Sequence, residues 1–162
     1  MATPTYDLLA STTLTADTTS ITMSSISQDY GDLVFVSDYV KTGGNSPVYF
    51  ILNGDTGRNY DAVFMRGNGS SAASDTQNSF RWQFNEGMGG LGSLLVVNIF
   101  DYTATDKHTS ALARYNETST NAGTQAVAAR WSNTAAVNSL SFSVAGDDFA
   151  AGSTFNLYGV AK

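Results

Sequence analysis

The strongest constraint on the fold is a strict alternation of apolar and polar residues. Residues 139–144 read Ser-Leu-Ser-Phe-Ser-Val, so every second side chain suits a core and the others suit water. Phe80, Trp82 and Phe84 alternate with polar residues in the same way, and 127–131 does so more weakly. A period of two is the repeat of a β-strand. We therefore predict strands here, with these apolar side chains facing inward.

Other segments are apolar on both faces. Residues 33–36 read Leu-Val-Phe-Val, 48–52 read Val-Tyr-Phe-Ile-Leu and 94–97 read Leu-Leu-Val-Val. Strands of this kind are covered on both sides. The cover is either the second sheet of a sandwich or a neighbouring subunit, and the pattern leaves both open.

Turn signals rich in Gly, Asn and Asp separate these segments at short intervals. Strands are predicted over residues 6–14, 18–27, 32–40, 47–53, 60–66, 79–85, 94–102, 109–115, 125–132, 138–145 and 153–160. No window shows a stripe with the helical period. The prediction is an all-β fold, a single antiparallel β-sandwich domain of jelly-roll type spanning 1–162. Residues 1–5 form a candidate N-terminal arm.

The charge of the chain disfavours several partners. The net charge is −6 and the eight basic residues are scattered singly. Nucleic-acid binding needs clustered Lys and Arg, and an anionic membrane would repel an acidic chain. No apolar run approaches the roughly 18 residues that cross a bilayer, and the first residues do not resemble a signal peptide. We expect neither a nucleic acid nor a membrane as partner.

Three glycines, Gly87, Gly89 and Gly92, have the G-x-G-x-x-G spacing of a dinucleotide site. That site requires a helix beginning at the third glycine, because the helix N-terminus supplies the amide donors for the phosphates. The residues that follow, 93–102, are β-branched and aromatic. The interpretation is a loop between two strands, without a nucleotide.

Two acidic motifs overlap at one turn. Asp55-Thr56-Gly57 matches the tripeptide of aspartic proteases, but Asn53-Gly54 before it is typical of a turn and no second copy exists. Asp55, Gly57, Asn59 and Asp61 also alternate faintly like the ligands of a calcium loop, without its terminal Glu. Calcium binding by Asp55 and Asp61 stays open. The acidic pair 147–148 is interpreted as a strand connection.

The remaining candidates are weaker. His108 is the single histidine, and no G-x-S-x-G elbow accompanies it, so it is interpreted as a surface residue at the start of a strand. Six tyrosines could stack on sugars but are interpreted as packing residues: Tyr30, Tyr39, Tyr49, Tyr60, Tyr102 and Tyr115. We predict no catalytic, cofactor-binding or metal-binding residue, and therefore no enzyme.

Four stretches carry a resemblance to a known family. They are 53–60 (Asn-Gly-Asp-Thr-Gly-Arg-Asn-Tyr) with 66–71, then 91–102 with Lys107-His108, then 131–140, and finally 149–160, which ends Leu-Tyr-Gly-Val. Together they resemble a family of small β-sandwich proteins on the exterior of tailed-bacteriophage virions. The ending is the most specific part. The chain departs from the family pattern at Phe100, where a proline would precede Asp101.

The resemblance implies a structural virion protein and no catalytic residue. Our leading hypothesis is a capsid decoration (cement) protein on the outer surface of the head, made in the bacterial cytoplasm, trimeric, and bound to the major capsid protein lattice. The alternative is a receptor- or glycan-binding module of a tail fibre, with loops 67–78 and 116–124 as its variable surface. A hydrolase is the third and least favoured class.

Two structural predictions can be checked directly. Trp82 and Trp131 should be buried, facing inward with Phe80, Phe84, Val127 and Ala129. The last strand, 153–160, should pair inside the sandwich. Strict alternation places Val160 on the wrong face for the core, so we predict a β-bulge at Tyr158-Gly159.

Overall fold

A computed structural model describes residues 5–43, 46–84, 92–117 and 123–162 of the chain. These residues form twelve β-strands and no helix. The strands are β1 (Tyr6–Thr13), β2 (Ser20–Met23), β3 (Asp32–Val40), β4 (Val48–Leu52), β5 (Tyr60–Gly67), β6 (Ala72–Ser79), β7 (Trp82–Gln83), β8 (Gly92–Phe100), β9 (Thr109–Glu117), β10 (Thr124–Trp131), β11 (Leu140–Val144) and β12 (Thr154–Val160).

The strands form two antiparallel sheets, which confirms the predicted all-β sandwich. The larger sheet has the order β1-β12-β3-β8-β9-β10-β5-β6, and the smaller has the order β2-β11-β4-β7. From β1 to β5 the chain changes sheet at every step, which is the crossing connectivity expected of a jelly-roll type of fold. The strands divide eight to four, however, so the larger sheet extends well beyond the smaller one.

The core lies between the sheets and is rich in aromatic residues. Phe35 of β3 meets Phe50 of β4 edge to face, with ring centroids 5.1 Å apart. Phe142 of β11 stacks on Phe149 at the same centroid distance, 5.1 Å. Such ring pairs contribute more than their buried area alone. The serines of 139–144 lie between buried Leu140, Phe142 and Val144, as predicted.

Both tryptophans are buried, as predicted. Trp82 and Trp131 are 0% exposed, and Phe84, Val127 and Ala129 also face the core. The prediction for Phe80 was wrong, because its side chain is 52% exposed. The predicted strand 79–85 is reduced to Trp82–Gln83 among the described residues, so the alternation does not extend back to Phe80. Its ring instead lies beneath the guanidinium of Arg58, 5.4 Å from the centroid.

The edge strand β6 was not predicted. Residues 72–79 read Ala-Ala-Ser-Asp-Thr-Gln-Asn-Ser and pair along their whole length with β5. Most of their side chains are exposed. A strand without a buried face shows no apolar alternation, and these residues were therefore interpreted as a loop.

The last strand pairs inside the large sheet, as predicted, with β1 on one side and β3 on the other. The predicted bulge at Tyr158-Gly159 was wrong. The register of β12 with β3 is regular through both residues. The irregularity lies in β1, where the register shifts between Leu8 and Ala10. Val160 therefore keeps strict alternation and faces away from the core, partly buried.

The glycine-rich segment leads into a strand and not a helix. Gly92 is the first residue of β8, which removes the helix N-terminus that a pyrophosphate site requires. Gly87 and Gly89 lie outside the described residues.

Candidate functional site

The Asp55 motif lies in the turn that carries the chain from the small sheet to the large one. Asn53 and Gly54 have φ angles of 52° and 65°, and the amide of Asp55 donates to the carbonyl of Leu52 at 2.9 Å. Left-handed dihedrals at both central residues are the type I′ turn that Asn-Gly favours. This places Asp55 beside the start of β5.

The carboxylate of Asp55 accepts hydrogen bonds from three protein groups. One oxygen accepts from the amide of Gly57 at 2.8 Å. The other accepts from Asn59 Nδ2 at 2.8 Å and from the indole Nε1 of Trp131 at 2.7 Å. Burial alone would raise the pKa of Asp55, but these hydrogen bonds outweigh it and lower the pKa below its usual value. The carboxylate thus connects the turn to β10.

Asp61 belongs to a separate network. It accepts from Asn78 Nδ2 at 2.7 Å, from Arg130 Nη2 at 2.6 Å and from Ser132 Oγ at 3.2 Å. The hydrogen bond from Asn78, followed by that from Arg130, lowers the pKa of Asp61. The donor sets of Asp55 and Asp61 share no residue, so the structure does not bring these two carboxylates together around one point.

The described parts of the chain contain no group of three or more His, Cys, Asp or Glu residues that could hold a metal ion. The oxygens of Asp55 and Asp61 are occupied by protein donors that stabilise the sandwich. The geometry therefore gives both carboxylates a structural role, and it offers calcium no assembled set of ligands among these residues.

The other polar candidates also have structural positions. Asp147 connects two segments, since one oxygen accepts from Thr42 Oγ1 at 2.6 Å and from the amides of Gly43 and Asp148 at 2.7 and 2.8 Å. This agrees with the strand connection predicted for 147–148. His108 is exposed and lies directly before β9.

The tyrosines proposed for sugar stacking are mostly inside the protein. Tyr49 is buried outside the core cluster, with the guanidinium of Arg81 3.5 Å from the centroid of its ring. Four others are buried in the core: Tyr39, Tyr60, Tyr102 and Tyr115. Tyr30 is partly buried against it. Burial raises the pKa of Tyr60 to about 12, and its hydroxyl donates to backbone carbonyls at the 52–55 turn. Rings in these positions pack the sandwich, as the sequence predicted.

The feature that remains is a surface of the large sheet. Alternate residues of each of its strands point away from the smaller sheet, and we call this surface the outer face. Eight large hydrophobic side chains are exposed among the described residues. By strand parity and pairing register, seven of them lie on the outer face: Tyr6, Leu8, Val40, Val63, Met65, Leu94 and Leu112. Phe80 is the exception.

The outer face is grooved. One groove, of about 700 Å³, runs past Val63, Leu112 and Ala128 to a polar end formed by Asp61, Asn78 and Arg130, with Phe100 beside it. A second, of about 420 Å³, is lined by Met65, Val96, Leu112, Arg114 and Ala126 among others. Leu112 and Ala128 border both. Contiguous apolar surface of this kind marks interaction sites in soluble proteins.

The sequence indicates this face only indirectly. The two-sided segments 33–36 and 94–97 lie in β3 and β8 and supply Val36, Leu94 and Val96 to it. The contribution of Leu112, Val63 and Met65 was missed, because their strands also carry Arg114 or Asp61 on the same face. The register that aligns these residues across strands depends on the topology, which no local pattern shows.

Comparison of the chain with protein-family models, with curated proteins and with solved structures finds no match in any of the three. The described residues include no helix long and apolar enough to cross a membrane.

Proposed function

We propose that this chain is a non-enzymatic virion structural protein. In this proposal it is a capsid decoration protein that binds the major capsid protein lattice as a trimer on the outer surface of the head. The sequence resemblance supplies the class of partner. The structural observation that supports an assembling structural protein is that seven of the eight large hydrophobic side chains exposed in the described residues lie on one sheet face. The carboxylates of Asp55 and Asp61, in contrast, accept hydrogen bonds that stabilise the fold.

The mechanism is mass action. A protein that binds the assembled lattice but not loose subunits stabilises that lattice by its binding free energy, about 2.7 kcal/mol per site at a free concentration 100 times Kd. The net charge of −6 supports a position outside the shell, because packaged DNA repels an acidic protein.

The capsid contact is assigned to the N-terminal arm, residues 1–5, or to a loop at one end of the sandwich. The other terminus is engaged in the fold. β12 lies between β1 and β3, and the amide of Ala161 donates to the carbonyl of Thr5 at 3.0 Å. A C-terminal strand held in this way is not free to act as a docking arm.

The test is copy number in purified virions. A decoration protein should occur in hundreds of copies, comparable with the major capsid protein on a stained gel. Heads prepared without this chain should break at lower temperature, and adding the purified chain back should restore them. A few dozen copies per particle, all removed with the tail, would contradict the head assignment.

The alternative is a receptor- or glycan-binding module of a tail fibre. The specific observation that favours it is the polar end of the larger groove, where Asp61, Asn78 and Arg130 lie beside Phe100. A few polar groups fix a ligand while an apolar wall buries it. The variable surface proposed for this function needs correction, since most of 67–78 is strand β6 and 118–122 lies outside the described residues. Glycan binding that is lost in Arg130→Ala would favour this alternative.

A further inference from the structure

The apolar residues of the outer face form short rows across neighbouring strands. Val63 of β5, Ala128 of β10 and Leu112 of β9 are direct cross-strand neighbours. Val36 of β3 is likewise opposite Val96 of β8. Their side chains are half-buried or exposed. Between the two groups, Leu112 is opposite Asn98 and Val96 is opposite Arg114. Water covers both groups in the isolated chain, and covering them by protein is favourable.

The size of the face matches what a stable contact needs. Its exposed hydrophobic residues extend from β1 to β5, across seven strands of the sheet. With strands about 4.8 Å apart and about eight residues of about 3.3 Å each, the projected area is roughly 900 Å². A standard protein–protein interface buries about 800 Å² per partner.

The charges of the face suit a second copy of the same chain. Its strand residues include three Asp, at 32, 38 and 61, and two Arg, at 114 and 130, so the face carries −1 of the chain's net −6. Two copies that meet here place little like charge together. Most of the acidic charge stays outside the contact, where solvent screens it.

Two of these charged side chains, Arg114 and Asp38, are available for the contact. Arg130 is already paired with Asp61 at 2.6 Å. The side chains of Arg114 and Asp38 make no hydrogen bond or ion pair within the described ranges 5–43, 46–84, 92–117 and 123–162. In a contact between copies, Arg114 of one copy can pair with Asp38 of the other. Asp38 lies on β3 and Arg114 lies on β9, so the same pair can form at each contact of a closed ring of copies.

We propose that the outer face of the large sheet is the surface through which copies of this chain associate. The inference deepens the proposed function and rests on it only for the number of copies, three. The face itself is inferred from the exposed side chains, the area and the charge balance.

The test is the oligomeric state of the full chain, measured by light scattering coupled to size exclusion over a range of concentrations. Leu112→Asp places a charge in the middle of the face, and burying it unpaired is costly. Phe80→Asp is the matched control, because Phe80 and Leu112 are each 52% exposed and Phe80 lies off the face. We expect the wild-type chain and Phe80→Asp to be oligomeric. Leu112→Asp should be monomeric at concentrations at least about 100-fold higher, with an unchanged circular dichroism spectrum.

Binding of the same proteins to heads that lack this chain separates this inference from the proposed function. An oligomer that needs Leu112 but does not bind heads would support the face and contradict the decoration role. A wild-type monomer at all concentrations would overturn the inference, and loss of head binding in Leu112→Asp would then assign the face to the capsid protein. An oligomer unchanged by Leu112→Asp would overturn the inference as well.

Discussion

At the scale of single residues, Gly159 is fixed by one aromatic ring. It occupies an inward-facing position of β12, after Phe155 and Leu157, where a side chain would be expected. A Cβ atom at Gly159 would lie 2.4 Å from Cγ of Tyr30. The Tyr30 hydroxyl donates to Asp7 of β1 at 3.1 Å. The ring therefore covers β12 and holds the neighbouring edge strand, and only glycine leaves room for it.

Gly159→Ala should lower the free energy of unfolding by about 1–3 kcal/mol, the usual cost of forcing an extra methyl into a packed site. Gly31→Ala is the control, because its nearest atoms would lie 3.7 Å from the new Cβ, an ordinary contact. Urea denaturation of both variants measures the difference. Equal stabilities would show that Tyr30 moves aside freely.

Asp55 makes stability depend on pH. Its pKa and that of Asp61 are lowered in the folded protein, so the unfolded chain binds protons first as the pH falls. The resulting stabilisation is complete above the unfolded pKa, about 3.9, and is lost as the pH falls through the folded values. The unfolding free energy of the wild-type protein should therefore be nearly constant from pH 7 to about 5 and fall below about pH 4.

Asp55→Asn should cost about 1–3 kcal/mol at pH 7. One carboxylate oxygen becomes an amide donor, while Gly57, Asn59 and Trp131 still present N–H groups to it. The difference in unfolding free energy between wild type and variant should begin to narrow below about pH 4, where the unfolded wild-type chain takes up the proton before the folded protein does. Denaturation at pH 7, 5 and 3.5 tests this. A gap that stays constant with pH would show that the Asp55 charge contributes nothing. Asp106→Asn, at an exposed position outside the strands, should change stability by less than about 0.5 kcal/mol at pH 7.

At the scale of elements, β12 is the strand on which the large sheet depends. It pairs with β1 over seven residues and with β3 over seven, and it buries Phe155 and Leu157 completely. Its removal exposes the unpaired edge of β3 and separates β1 from the sheet. The C-terminal end of the chain is thus part of the core.

Deletion of residues 153–162 should abolish folding. Near-ultraviolet circular dichroism should lose its aromatic signal, and no cooperative thermal transition should remain. Deletion of 161–162 alone is the control and should leave a cooperative transition, because it removes only one backbone hydrogen bond between described residues, from Ala161 to Thr5. A folded 1–152 fragment would mean that β12 docks onto a finished domain.

The sequence predicted the strands that have at least one apolar face. Residues 139–144 alternate because β11 lies over the core, and the pattern identified it without knowledge of its partners. β6 is exposed on most positions, so backbone pairing with β5 defines it and its side chains carry no signal. Phe80 was assigned inward by extending the alternation of Trp82 and Phe84 two residues too far.

The same distinction applies to the candidate site. The Asn-Gly turn before Asp55 could be predicted from local chemistry. The hydrogen bond that Trp131 donates to Asp55 joins residues 76 positions apart. It depends on the order of the strands, which no local pattern shows. The two-sided segments 33–36 and 94–97 indicated that a sheet is covered on both sides, but which strands join them on the outer face depends on register.

At the scale of the whole molecule, the unequal sheets leave one large surface without a cover. The four-stranded sheet covers the inner side of the large sheet, and no described element of the chain packs on the outer face. A chain that buries part of its core only on association has a stability that depends on its concentration. The melting temperature of such a chain then reports on both folding and assembly.

The melting temperature should therefore rise with protein concentration. For an oligomer of two or three chains that unfolds and dissociates together, the rise is about 2–3 °C for each tenfold increase, given about 0.7 kcal/mol of unfolding enthalpy per residue. Met65→Asp, which charges a 56% exposed residue of the outer face, should remove this dependence, and Phe80→Asp should keep it. Scanning calorimetry from about 5 μM to 500 μM covers two decades, so the expected shift of roughly 5 °C is far above experimental error. A wild-type melting temperature that is the same across this range would mean that the domain is complete as a single chain.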